Sequence, residues 1–191
     1  MAQANPNKLN FAGKLPPQNL EAEQGVLGSV LLDHQMLDDV IEVLVPEHFY
    51  SDAHQRLFKA IMRLHERGIR GIDAVVLAEE LMRNNELDDC GGVEYLEQIL
   101  AAVPHAAHAK YYADIVRDKA TQRALTYACN EILVECYEGG RDTPDILASA
   151  EQRIFSILEQ QADVDKIALH DILIDAFDRI NTRLEKEGDI S

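Results

Sequence analysis

Apolar residues recur at helical spacing from Leu20 to Leu184, which predicts an all-α fold. Leu20, Leu27, Val30 and Leu31 set out the buried stripe of a first helix. Its start is sharp. Pro16-Pro17 keep the preceding backbone extended, and Asn19 is placed to accept from a free first-turn N–H. Glu21 and Glu23 follow at the positive end of the helix dipole. Gly25 and Gly28 each cost about 1 kcal/mol of helix propensity relative to Ala, so another helix is expected to approach closely there.

A second helix is predicted over 34–45, stopped by Pro46. Ser51 is placed to cap a third, whose stripe is Ala53, Leu57, Ala60, Ile61 and Leu64. Asp73 caps a fourth, through Leu77, Leu81 and Met82. Residues 84–92 read as a polar turn region, and a short helix runs over 93–103 before Pro104.

From 106 to 138 there is neither proline nor glycine, and Ile115, Leu125, Ala128, Ile132 and Cys136 keep helical spacing. At 1.5 Å per residue such a helix is about 50 Å long. Gly139-Gly140 break it. Thr143 and Pro144 are the expected cap and first residue of a return helix carrying Leu147, Ala150, Ile154, Ile157 and Leu158. Two long amphipathic helices joined by a short turn predict an antiparallel αα-hairpin. A small head cannot cover its outward part, so its stripe is expected to need another molecule. A polar linker and one more amphipathic helix follow, with Ile172, Leu173, Ala176, Ile180 and Leu184 on its face. The expected organisation is a disordered arm (1–15), a helical head (16–104), a hairpin (105–161) and a linker with its helix (162–191).

Composition narrows the function. Hydrophobic residues at 47% and charged residues at 27% are those of a soluble globular protein. The net charge of −16 argues against a continuous phosphate-binding surface and against an anionic membrane. Cys90, Cys129 and Cys136 make no disulfide framework; the last two would lie about 10.5 Å apart along one helix axis. With no signal peptide or membrane-spanning run expected, the anticipated compartment is the cytoplasm.

Several segments share a pattern. Pro16-Pro17-Gln18-Asn19-Leu20-Glu21-Ala22-Glu23-Gln24 leads to Leu27-Gly28, and Pro46-Glu47-His48-Phe49-Tyr50 is followed by His54, Leu57 and Phe58. Then come Ile72-Asp73, Gly91-Gly92-Val93-Glu94-Tyr95-Leu96 and Tyr111-Tyr112-Ala113-Asp114-Ile115-Val116-Arg117. In this order they resemble the N-terminal domain and linker of the bacterial DnaB-type replicative helicases, over residues 16–191. The resemblance implies a non-catalytic assembly and recruitment domain. Its hairpins pair two subunits, a dimer building block for a hexameric collar, and head and hairpin dock the C-terminal domain of primase, with a helicase loader as a further candidate partner. It points to Leu125, Ile132, Leu147 and Ile154 as oligomer-interface candidates and to Glu21, Tyr95 and Ile132 as primase-docking candidates. Ile172, Leu173, Ala176, Ile180 and Leu184 would form the linker-helix face for a neighbouring motor domain. Tyr95 and Ile132 read equally as core residues, and Glu21 as an ordinary first-turn acid.

The residues themselves carry little catalytic chemistry. There is no GxxxxGK[ST] phosphate loop, so no ATP turnover is expected here, and the resemblance implies that ATP and Mg are to be expected only in a motor domain beyond residue 191. The chain is accordingly expected to be a fragment ending just before that motor. His105 and His108 stand three apart but lack thiol or carboxylate companions, and no metal is expected. His170-Asp171 suggests an alternative, a helical metal-dependent hydrolase, although Asp171 is better explained as dipole compensation. A second alternative is the related helicase-binding domain at the C-terminus of primases. Arg117, Lys119 and Arg123 read as a surface run paired within its own helix, with Asp114, Asp118 and Glu131.

Overall fold

The computed structural model describes residues 15–159, and among these there are helices and turns but no strand. Helix α1 (Leu20–Leu32) is the central element, and Asn19 Oδ1 accepts from Ala22 N at 3.0 Å as its cap. Around it are α2 (Met36–Ile41), α3 (Asp52–Glu66), α4 (Ala74–Arg83), α5 (Gly92–Ala101) and the base of α6 (Ala109–Glu138). Ser51 Oγ accepts from His54 N at the start of α3, and Asp73 Oδ1 accepts from Val75 N and Val76 N at the start of α4. The caps are those the sequence predicts.

The core is aliphatic, with Phe49 and Phe58 in tilted contact at its centre. The two glycines of α1 do admit neighbours. A Cβ on Gly28 would fall 2.6 Å from Val103 Cγ2 and 2.7 Å from the carbonyl oxygen of Ile99, and one on Gly25 would fall 2.7 Å from the Tyr112 ring. These close approaches bring α5 and α6 against α1.

Four local expectations are corrected. Leu20 is exposed, because the first turn of α1 projects beyond the core that Val26, Leu27, Val30 and Leu31 fill. The second helix is shorter than 34–45, since Val43 and Leu44 bond back to Val40 O and fold into the core. Met82 faces outward on α4. The turn region 84–92 is not wholly polar: a short 3₁₀ turn, Asp88–Cys90, buries Cys90.

Beyond the head, α6 turns at Gly139-Gly140, both with positive φ (65° and 107°), into α7, which spans 143–159. The first-turn N–H groups of Asp145 and Ile146 bond to Asp142 O, so Asp142 occupies the cap position expected of Thr143. Arg153 on α7 reaches both Glu131 and Glu135 of α6, and Arg141 also pairs with Glu135. These cross-links define the antiparallel hairpin. Residues 1–14 of the expected arm (1–15) and the linker with its helix lie outside the described residues, as do Ile172, Leu173, Ala176, Ile180 and Leu184, and His170 with Asp171.

Candidate functional site

Helix α6 changes its apolar face halfway along. Ala109, Ala113 and Val116 are buried against the head at i, i+4 and i+7. At 100° per residue, Leu125 stands roughly 160° around the helix from that line. Leu125, Cys129, Ile132 and Cys136 form a second stripe at i, i+4, i+7 and i+11, of which Ile132 is half-buried and the others exposed. The thiols of Cys129 and Cys136 thus face outward.

On α7, Ile146, Ala150, Ile154 and Ile157 are half-buried and face α6, as does Arg153. Leu147, Phe155 and Leu158 lie on the adjoining outer arc. Exposure runs from 45% at Leu125 to 55% at Leu158, 57% at Phe155 and 66% at Leu147. On both helices the outer stripe is rotated in the same sense from the seam. In an antiparallel pair this puts both stripes on one broad side of the hairpin. Of the four residues expected at an oligomer interface, Leu125 and Leu147 are exposed on this side, Ile132 is at its edge, and Ile154 sits in the seam.

The second surface lies on the head. Glu21 and Gln24 on α1 line an open cleft of about 410 Å³, opposite Ala102, Tyr112 and Ile115. Gln24 Nε2 donates to the Tyr95 hydroxyl at 3.2 Å, so Glu21 and Tyr95 share one side of the head through Gln24. Tyr95 is half-buried against the core, with its hydroxyl 2.7 Å from His54 Nε2. Ile132 is not part of this surface; it stands nine residues beyond Arg123 on the projecting helix, about 13.5 Å along its axis.

Beneath it is a buried polar hub that sequence reasoning missed. Glu23, expected as a first-turn dipole acid, is enclosed. Its Oε1 accepts from Tyr50 N at 2.7 Å, and its Oε2 accepts from Ser51 N at 3.3 Å and meets His54 Nδ1 at 2.6 Å. Its carboxylate therefore anchors the start of α3. The i, i+3, i+4 pattern offers one signal: Glu23 lies next to the apolar line of Val26, Leu27 and Val30 rather than opposite it.

Arg123 is a second correction. Of the basic run, Arg117 pairs within its helix as expected, with Asp114 at 3.4 Å, and Lys119 Nζ donates to Gln122 of the same helix. Arg123 is buried instead, donating from Nη1 to Pro17 O at 2.9 Å and from Nη2 to His48 O, with its guanidinium 5.7 Å from the centre of the Tyr50 ring. Burial pushes its pKa below the ordinary value, and the facing Glu23 carboxylate opposes that shift. His105 and His108 are exposed, and among the described residues no three His, Cys, Asp or Glu side chains are grouped to hold a metal. No described helix is long and apolar enough to cross a membrane.

An all-α head with a projecting αα-hairpin is a helical domain with an apolar side on its hairpin and a separate surface on its head. The chain belongs to the DnaB-like helicase N-terminal domain family, whose model matches residues 15–118. It is 35% identical over 181 residues to the replicative DNA helicase DnaB of Geobacillus stearothermophilus, covering 95% of this chain and 40% of that one. It is also 35% identical over 178 residues to the replicative DNA helicase DnaC of Bacillus subtilis, covering 93% and 39%. The chain thus spans about two-fifths of the length of these relatives. Among solved structures, the N-terminal domain of DnaB helicase from Mycobacterium tuberculosis superposes with a TM-score of 0.70 at 42% identity, over 74% of this chain and 99% of that one. A DnaB-like replicative helicase described with its interactions with primase shares the fold, with a TM-score of 0.56 at 23% identity over 74% and 31% of the two chains.

Proposed function

We propose that this chain is the non-catalytic assembly and recruitment part of a replicative DNA helicase, with 16–104 as head, 105–161 as hairpin and 162–191 as linker. It pairs with a second copy through the hairpin, as the building block of a hexameric collar, and docks the C-terminal domain of primase, with a loader as a further partner. ATP and Mg are assigned to a motor domain outside residues 1–191. The observation that carries this reading is the exposed apolar side shared by α6 and α7, since contiguous exposed apolar surface marks an interface. The family assignment supports the helicase context, and the primase interactions of the DnaB-like helicase support the choice of partner.

Light scattering tests the pairing. Leu125→Asp combined with Leu147→Asp should lower the oligomeric mass while leaving the helical circular dichroism of the head in place. A wild-type protein that stays monomeric at high concentration overturns the pairing. For docking, Glu21→Lys and Tyr95→Ala should weaken capture of a primase C-terminal domain; unchanged affinity in both would remove that surface from the proposal.

A further inference from the structure

The hub and the contacts of Arg123 join at Tyr50 in one chain of contacts. It begins at the head surface, where Gln24 meets the Tyr95 hydroxyl, and passes from that hydroxyl to His54 Nε2 (2.7 Å). His54 Nδ1 then meets Glu23 Oε2 (2.6 Å), and Glu23 Oε1 receives the Tyr50 N–H (2.7 Å). The Tyr50 ring lies under the Arg123 guanidinium, which in turn holds the carbonyls of His48 and Pro17. Pro17 comes from the segment before α1, and His48 and Tyr50 come from the stretch between α2 and α3. Arg123 comes from the hairpin.

Position makes Arg123 more than one contact among many. The head-facing line of α6 runs through Ala109, Ala113, Val116 and Arg123, and the next residue on it, Tyr127, is already exposed. The guanidinium is therefore the outermost buried contact between that face of α6 and the head. A planar fork donating to two carbonyls from different segments fixes direction as well as distance. Only 7% of the side chain is exposed, so water cannot substitute for those acceptors without opening the joint.

We propose that Arg123 is a positioning residue that sets the hairpin against the head, and that the Tyr95–His54–Glu23 path couples the head surface at Tyr95 to that setting. The use of this coupling, letting occupancy of the head surface bias the geometry in which hairpins pair, rests on the proposed docking role of that surface. The coupling itself does not, and its test involves no partner.

The test is a double-mutant cycle read by hydrogen exchange on the whole chain, at a concentration where light scattering gives all variants the same mass. Tyr95→Phe deletes only the hydroxyl, and Arg123→Met removes the fork while keeping an apolar stem. Arg123→Met should speed exchange across residues 118–128 about tenfold or more, the loss expected for hydrogen bonds to a charged group. Tyr95→Phe alone should also speed exchange there, although Tyr95 is on another helix, and should add nothing in the Arg123→Met background. Exchange in α4, which the path does not touch, is the control. Acceleration of α4 in proportion would mean general weakening and would overturn the proposal, as would a Tyr95→Phe effect confined to α3 and α5 or one that simply adds to Arg123→Met. Should Arg123→Met fail to fold, Arg123→Lys is read in its place, with the charge kept and the fork lost. Failure of hairpin pairing or primase capture leaves each of these outcomes readable.

Discussion

The Glu23 carboxylate and the His54 imidazole meet at 2.6 Å, Oε2 to Nδ1, with each side chain only 1% exposed. A carboxylate this deep requires partners for its oxygens, and the backbone N–H groups of Tyr50 and Ser51 supply the rest. Removing the acid would leave two backbone donors and an imidazole nitrogen without their acceptor. Glu23→Ala is therefore expected to cost about 3–5 kcal/mol, the range for breaking a buried pair by deleting one partner. Urea unfolding should show it as a lowered midpoint at unchanged slope. A loss below about 1 kcal/mol would mean that the pair is not enclosed as described.

Gly28 and Gly25 should respond differently to alanine. At Gly28 the added methyl meets Val103 and the fixed carbonyl oxygen of Ile99, so α5 must move away from α1. Overpacking of this kind costs about 1–3 kcal/mol and outweighs the roughly 1 kcal/mol gained in helix propensity. At Gly25 the obstacle is the ring of half-buried Tyr112, which has room to shift toward the cleft. Thermal unfolding is expected to rank Gly28→Ala below Gly25→Ala. The reverse order would place the tight approach at α6 instead.

Stability should fall as pH is lowered through the histidine range. Burial, and then the nearby Arg123, hold the pKa of His48 below its ordinary value, and burial followed by His65 does the same for His34. The unfolded chain binds these protons more readily than the folded one. The contribution is therefore present above about pH 6.5 and is lost progressively as pH drops below it toward the lowered folded values. The ring geometry agrees for His48, because its Nδ1 accepts from Val45 N and protonation removes that acceptor. His48→Gln should flatten the dependence of the urea midpoint between pH 7 and pH 5, and an unchanged slope would remove His48 as a source.

The three thiols should separate into two classes. Cys90 is fully enclosed, and burial followed by the Glu86 charge pushes its pKa up to about 11. Cys129 and Cys136 are exposed. A maleimide at neutral pH is expected to modify two sites quickly in the folded protein and the third only on unfolding, since the thiolate is the reactive form. Mass spectrometry of the first minutes decides it. If the hairpins pair as proposed, the two fast sites should slow as protein concentration rises.

Much of the fold is written in short-range patterns. Asn19, Ser51 and Asp73 mark helix starts because a cap acts on an N–H two or three residues away, and Gly139-Gly140 mark a turn because only local backbone strain is at issue. The apolar spacing announced an all-α head and hairpin, and the quoted segments announced the family. What the chain alone did not determine was the destination of its polar residues. Glu23 and Arg123 look like a dipole acid and a member of a surface basic run. Each is buried only because partners 27 to 106 positions away in sequence, Tyr50, Ser51, His54 and Pro17, are carried to it by the packing of α1, α3 and α6. Leu20 shows the converse, an apolar residue in register with a core stripe that the core does not reach. Local sequence sets which face of a helix is apolar. How far that face is covered, and which charges end up beneath it, depends on where the neighbouring helices stop, and that is decided only in three dimensions.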